Sequence, residues 1–196
     1  MKKVLSIHEI TPEILAIPKE VLSEYVLTFD DGLYSQYVHR EHFSSIPTSK
    51  VYFISPGILH RGKEPQQSLI SSAKAHEVFF DPSGISLAFM TLEQVKHLKS
   101  YPNTIIGGHS FMHFKESVIE SEAPSHKGLL EYKFTVMKED TEKMVQWFDK
   151  ELKQKVNYFC YPYNNTYNGL YTAVVQKLHK IPSVFGDERI LIEDLL

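Results

Sequence analysis

Two stretches of this chain set acid–base and metal-binding side chains at the ends of apolar segments. In Leu27-Thr28-Phe29-Asp30-Asp31-Gly32, β-favouring residues from Val26 run straight into two adjacent carboxylates and a glycine. That pattern reads as a buried strand whose C-terminal rim carries two acids. Adjacent carboxylates repel, and burying them is costly without a cation or strong donors nearby. A divalent metal resolves the conflict, leaving one carboxylate to coordinate and the other to act as a base. An ordinary strand-to-turn junction would use the same residues, so this stretch alone leaves both readings open.

The second stretch is His109-Ser110-Phe111-Met112-His113, behind an apolar segment and Gly107-Gly108. If a helix opens at His109, the two imidazoles lie on one face, about one turn apart. Such spacing can chelate one ion, although partly exposed helices also carry such pairs without a ligand. Two histidines with Asp31 would supply the three protein ligands of an open catalytic site. A third group, Phe159-Cys160-Tyr161-Pro162-Tyr163-Asn164, puts a proline between two tyrosines at a strand end. It can aim an N–H and aromatic rings at a cleft, or form a buried aromatic turn. Cys160 has no organised histidine partner in the pattern, which disfavours a thiol nucleophile.

The elements that must position these residues follow from apolar period and breakers. Strands are expected over 4–7, 26–29, 50–54, 104–106, 156–160 and 183–185. A short helix is expected within 9–24, then helices over 33–43, near 66–78, and from an N-cap at Thr91 to about Lys99. One or two long helices should fill 127–153, and another 167–179. Alternating strands and helices imply a parallel sheet or barrel with its site at the strand C-termini. The chemistry-bearing residues all sit at such ends.

Bulk properties narrow the function classes. The 196 residues suit one domain over 1–196, and 42% hydrophobic with 23% charged residues is globular composition. A formal net charge of −3 supplies no basic field, so nucleic acid is not an expected partner. The single cysteine excludes an internal disulfide. No apolar run reaches membrane-spanning length, and the one after Met1-Lys2-Lys3 stops at His8 and Glu9, too early for a signal peptide. The expectation is a cytoplasmic protein.

The three groups, taken in order, resemble the first three motifs of the polysaccharide deacetylase family, the NodB-homology or carbohydrate esterase 4 group. The segment Met90-Thr91-Leu92-Glu93-Gln94-Val95 is similar to the helix that family places before its second motif. The resemblance spans roughly 24–185 and implies an α/β fold, a short distorted (β/α) barrel of the NodB-homology type. It implies Asp30 as catalytic base and Asp31, His109 and His113 as ligands of a divalent metal, usually Zn2+. A water activated at the metal would attack the amide carbonyl, with the backbone N–H of Tyr163, beside Tyr161 and Pro162, stabilising the oxyanion.

Two departures stand out. Cys160 occupies the position where the third motif often has an arginine that orients the base; Arg189 is a candidate replacement. The C-terminal Leu-x-His motif that usually supplies the general acid is missing from residues 190–196. However, Val4-Leu5-Ser6-Ile7-His8 resembles the circularly permuted members, which makes His8 the candidate acid. Seven further histidines, at 39, 42, 60, 76, 97, 126 and 179, fit no motif.

The expected function is a metal-dependent hydrolase removing N-acetyl groups from an amino sugar during surface polysaccharide or O-antigen assembly. Its substrate would be a lipid- or nucleotide-linked sugar. The rival readings are hydrolysis of a non-sugar C–N bond and a non-catalytic saccharide-binding protein on the same fold.

Overall fold

The computed structural model describes residues 2–62, 69–78, 87–123 and 128–196. They fall into two compact units. The first comprises Met1–Ile54, Ile58–Ile106 and Glu188–Leu196, the second Ser55–Gly57 and Gly107–Asp187.

In the first unit the strands are β1 (Lys3–Ile7), β2 (Tyr25–Phe29), β3 (Lys50–Ile54), the start of β4 (Thr104–Gly108) and β7 (Ile190–Leu191), in the order β7-β1-β2-β3-β4. β1 is parallel to both β2 and β7, and β2 is parallel to β3. Parallel pairing needs a helical crossover, and the chain provides it. Between β1 and β2 lie α1 (Pro12–Ala16) and α2 (Lys19–Leu22), α1 opening on Pro12 with Thr11 as its cap. Before β4, α6 (Leu92–Lys99) starts at Thr91 with a complete capping box closed by Gln94.

All five residues of β3 are buried, and at the heart of the unit Phe29 stacks on Tyr52 with ring centroids 4.5 Å apart. Phe43 meets Phe29 edge-on at 4.9 Å. Each such ring removed from water contributes about 2–3 kcal/mol, so the pattern of aromatics serves the core here.

In this unit two expected helices change in detail and one strand is new. The helix expected over 33–43 is two short ones, α3 (Tyr34–Val38) and α4 (Arg40–Ser44), broken at His39. Arg40 turns back, donating to the Tyr37 carbonyl at 2.8 Å and lying 4.2 Å over the Tyr37 ring, which satisfies the end of α3 and halts it. The helix expected near 66–78 is present as α5 (Ser72–Val78), and residues 66–68 lie outside the described residues. The strand β7 was not anticipated: only two residues pair, too few for a periodic signal.

The second unit holds the end of β4, then β5 (Tyr158–Cys160) and β6 (Ser183–Phe185), each parallel to its neighbour. Two helices precede β5, α7 (Glu116–Glu122), which the sequence reading missed, and α8 (Leu129–Trp147). α8 continues as a wider π-helical turn over Phe148–Leu152 and stops at Lys153, which is left-handed at φ 51°. The helix expected over 167–179 starts late. Tyr167 and Asn168 are left-handed, so α9 (Leu170–Thr172) begins after Gly169 and passes into a π-helical segment over Ala173–Leu178.

The core of this unit is aromatic too. Tyr171 is fully buried, with Phe159, Phe114 and Tyr161 ring centroids at 5.3, 5.4 and 5.6 Å. Gly108 lets the end of β4 lie against α8, because a Cβ there would sit 2.4 Å from Met144 Sδ and 3.2 Å from Val156 Cγ1. Gly108→Ala is therefore expected to destabilise the protein by about 1–3 kcal/mol, the usual cost of overpacking, as read by urea denaturation.

Candidate functional site

In the first unit the functional side chains gather where β1 and β2 end. Asp30 follows β2, its N–H bonded to the Ile7 carbonyl at 3.0 Å. The chain then turns sharply through Asp31 and Gly32, both left-handed at φ 73° and 75°. Aspartate tolerates that region better than most residues, and glycine adopts it freely. Both carboxylates are buried, with 1% residual exposure each.

Asp30 is gripped by Arg189 in a bidentate pair, with Nη1 to Oδ1 and Nη2 to Oδ2 both at 2.7 Å. Nη1 also reaches Thr28 Oγ1 at 3.1 Å, and Thr28 donates to the Leu5 carbonyl at 3.0 Å. The planar fork of arginine matches a carboxylate, and holding both oxygens fixes the plane of the acid. His8 leaves the end of β1 with Nε2 3.7 Å from Asp30 Oδ2, its side chain a third exposed. Gln36, fully buried, spans the backbone of both by donating to the carbonyls of Asp30 (2.6 Å) and His8 (2.7 Å).

In the second unit the two motif histidines come together, but not on a helix. Residues 109–115 form a loop in which Ser110 and His113 are left-handed, at φ 61° and 51°. The expectation of a helix opening at His109 is thus corrected. Polar groups on either side take up the hydrogen bonds a helix would have made. Ser110 Oγ accepts from the His113 N–H at 2.7 Å, and Asp140 accepts from the N–H groups of Phe111 (2.7 Å) and Met112 (2.9 Å). Ser55 Oγ donates to the His109 carbonyl at 2.5 Å, and the Gly57 N–H to the Phe111 carbonyl at 2.8 Å. Gly57 is required there, since a Cβ would lie 2.8 Å from that carbonyl oxygen.

The result places His109 Nε2 and His113 Nε2 3.2 Å apart, both residues buried. His109 Nδ1 lies 2.8 Å from the Cys160 carbonyl, an acceptor only, so Nδ1 carries the proton and Nε2 offers its lone pair. Two tetrahedral bonds of about 2.0–2.1 Å to one zinc ion place their nitrogens roughly 3.3 Å apart, so the pair fits a shared divalent cation. The hydrogen bond on the far nitrogen of His109 is the support that metal-binding imidazoles usually have.

The aromatic motif borders this loop. Tyr161 and Pro162 are buried, and the Tyr161 hydroxyl donates to Thr172 Oγ1 at 2.8 Å. Tyr163 is left-handed at φ 55°, 42% exposed, and sets its ring edge-on to His113 with centroids 4.8 Å apart. Cys160 is buried, and its carbonyl accepts from His109 Nδ1.

Sequence reasoning missed Gln36, Ser55 and Asp140. Asp140 did leave a signal: with Met137, Thr141 and Met144 it lies on the buried stripe of α8, the one acid among apolar positions. Burial pushes its carboxyl up to about 6, against the lowering effect of the two N–H donors. The protonated form is therefore favoured by folding, so this stabilising contribution is complete below the unfolded value near 4 and lost as pH rises through about 6. Asp140→Asn should remove it. The stability of wild type relative to the variant is expected to fall by about 1 kcal/mol or more from pH 4 to pH 7, measured by urea denaturation at each pH.

No protein-family model matches the chain, and no curated relative does. Solved structures match it over most of its length. IcaB from Ammonifex degensii is 18% identical with a TM-score of 0.64, covering 97% of this chain and 91% of its own. A de-N-acetylase from Aggregatibacter actinomycetemcomitans is 13% identical with a TM-score of 0.63, covering 97% and 93%. The Streptococcus pyogenes deacetylase PplD, solved with acetate, is 15% identical with a TM-score of 0.58, covering 91% and 80%. A polysaccharide deacetylase from Bacillus cereus has the same architecture at a TM-score of 0.54. The chain therefore has the polysaccharide deacetylase fold, the α/β fold of the NodB-homology type that its motifs resemble.

Proposed function

We propose that the protein is a metal-dependent N-deacetylase acting on an N-acetylated amino sugar of a polysaccharide or its lipid- or nucleotide-linked precursor. The observation that carries this reading is the Asp30 carboxylate, clamped in one plane by Arg189 with an imidazole, His8, beside it. A fixed base next to a partly exposed acid is what hydrolysis of an amide needs. The amine is a poor leaving group until protonated, and the attacking water must lose a proton. The fold shared with deacetylases supports the same reading.

In this reading Asp31, His109 and His113 hold a divalent ion; each is buried and offers one ligand atom. Such an ion supplies Lewis acidity toward the acetamide carbonyl and makes a water acidic enough to attack near neutral pH. Asp30 would accept a proton from the attacking water, and Arg189 holds its carboxylate in one plane. His8 delivers a proton to the sugar nitrogen as the C–N bond breaks. The Tyr163 N–H, on a backbone held left-handed, donates to the carbonyl oxygen as it becomes negative. The product would be a free amino sugar in a surface polysaccharide or O-antigen.

The test is acetate release from N-acetylglucosamine oligomers by metal-loaded protein. Activity should disappear with a chelator and return with zinc. Asp30→Asn and His8→Ala are each expected to lower kcat by about 10²–10⁴-fold, with metal stoichiometry by elemental analysis unchanged. Full activity of Asp30→Asn would defeat the proposal, as would acetate release that a chelator does not touch.

A further inference from the structure

Lys115 stands two residues beyond His113, and its Nζ lies 5.0 Å over the ring of Tyr163. That ring is the one set edge-on to His113 at 4.8 Å, so the phenol ring touches both the ammonium and the imidazole. No ion pair joins Lys115 to a carboxylate among the described residues. The acid on α7 that reaches a lysine, Glu120, is paired with Lys133 at 2.6 Å. A cation over an exposed ring gains only about 0.5–1 kcal/mol, much less than a charged partner could add, so stability does not account for placing a lysine there.

The backbone points the same way. Tyr163 and Asn164 are left-handed at φ 55° and 54°, and Tyr167 and Asn168 at 52° and 55°. Holding non-glycine residues in that region costs on the order of 1 kcal/mol each and persists where the surroundings over-determine it, which is characteristic of ligand-binding loops. Here the cost keeps an exposed tyrosine ring between the lysine and the histidine pair. Met112, 47% exposed, adds apolar surface from the same loop.

We propose that Lys115 and Tyr163 form a subsite for a phosphate group on the substrate, the ring packing against the sugar and the ammonium meeting the phosphate. An ammonium on a flexible stem binds a phosphate as a point charge, without needing one fixed orientation of its oxygens. This rests on the deacetylase reading and narrows it to sugars bearing a phosphate or diphosphate at or near the N-acetylated residue.

Binding and turnover separate the two ideas. Calorimetry with N-acetylglucosamine 1-phosphate should give a Kd about tenfold weaker for Lys115→Met than for wild type, with Lys115→Arg restoring most of it. The ratio of kcat/KM for the sugar phosphate over its neutral methyl glycoside should fall about tenfold in Lys115→Met, through KM. It should stay at the wild-type value in Lys150→Met, a change at an exposed lysine outside the site. Arms with a nucleotide-linked and a short prenyl-diphosphate-linked sugar then identify which source of phosphate binds more tightly. A Kd changed less than about twofold by Lys115→Met, or only an adventitious ion effect that inorganic chloride reproduces, overturns the subsite. Absence of acetate release from every substrate would defeat the deacetylase reading instead, and the calorimetric comparison would still decide the role of Lys115.

Discussion

The structure depends on how a carboxylate is kept in a nearly dry place. Asp30 is 1% exposed, and no such group remains charged there without full compensation. Arg189 supplies it with two charge-assisted hydrogen bonds, and the rest of the neighbourhood is arranged around that pair. Thr28 receives the arginine and ties it to the backbone of β1, while Gln36 holds the main chain on either side. Removing one partner of a buried pair typically costs about 3–5 kcal/mol, a large share of a net stability of about 5–15 kcal/mol. The register of β1, β2 and β7 and the chemistry of the acid are thus one arrangement.

The second unit solves a related problem without an ion pair. Its histidine loop is irregular, so the main-chain groups that would bond within a helix find partners elsewhere: Asp140 on α8, Ser110 within the loop, and Ser55 and Gly57 after β3. Both imidazoles then have little freedom, and one has its tautomer set by the Cys160 carbonyl. Orientation of this kind, supplied from behind the contacting atoms, is the support that metal-binding imidazoles usually have.

Much of this could be read from the chain. The strands at Val4, Val26, Lys50 and Ser183 showed as β-favouring runs bounded by breakers, and Thr91 with Gln94 announced its helix. Asp30 and the histidine pair stood out as candidates because α/β folds bind ligands at the carboxyl ends of their strands. The histidine loop was misread because spacing of four suits a helix, and nothing local reveals that Asp140, 29 residues away, competes for its N–H groups. Arg189 was legible only as a candidate for the missing orienting arginine, and the structure pairs it with Asp30. It lies 159 residues from Asp30, and no periodic rule operates over that separation. His8 beside Asp30 was reachable only by supposing a permuted order, which the pairing of β1 with β2 makes physically natural.

The first unit is discontinuous: its pieces lie before and after most of the second in the chain. A ribosome adding about 5–20 residues each second releases Arg189 on the order of ten seconds or more after Asp30. During that interval the nascent strands β1 and β2 carry an acid whose counter-charge does not yet exist. Until Arg189 is available the Asp30 carboxylate must keep its water, so this acid becomes dry only when the first unit gains its third piece, Glu188–Leu196.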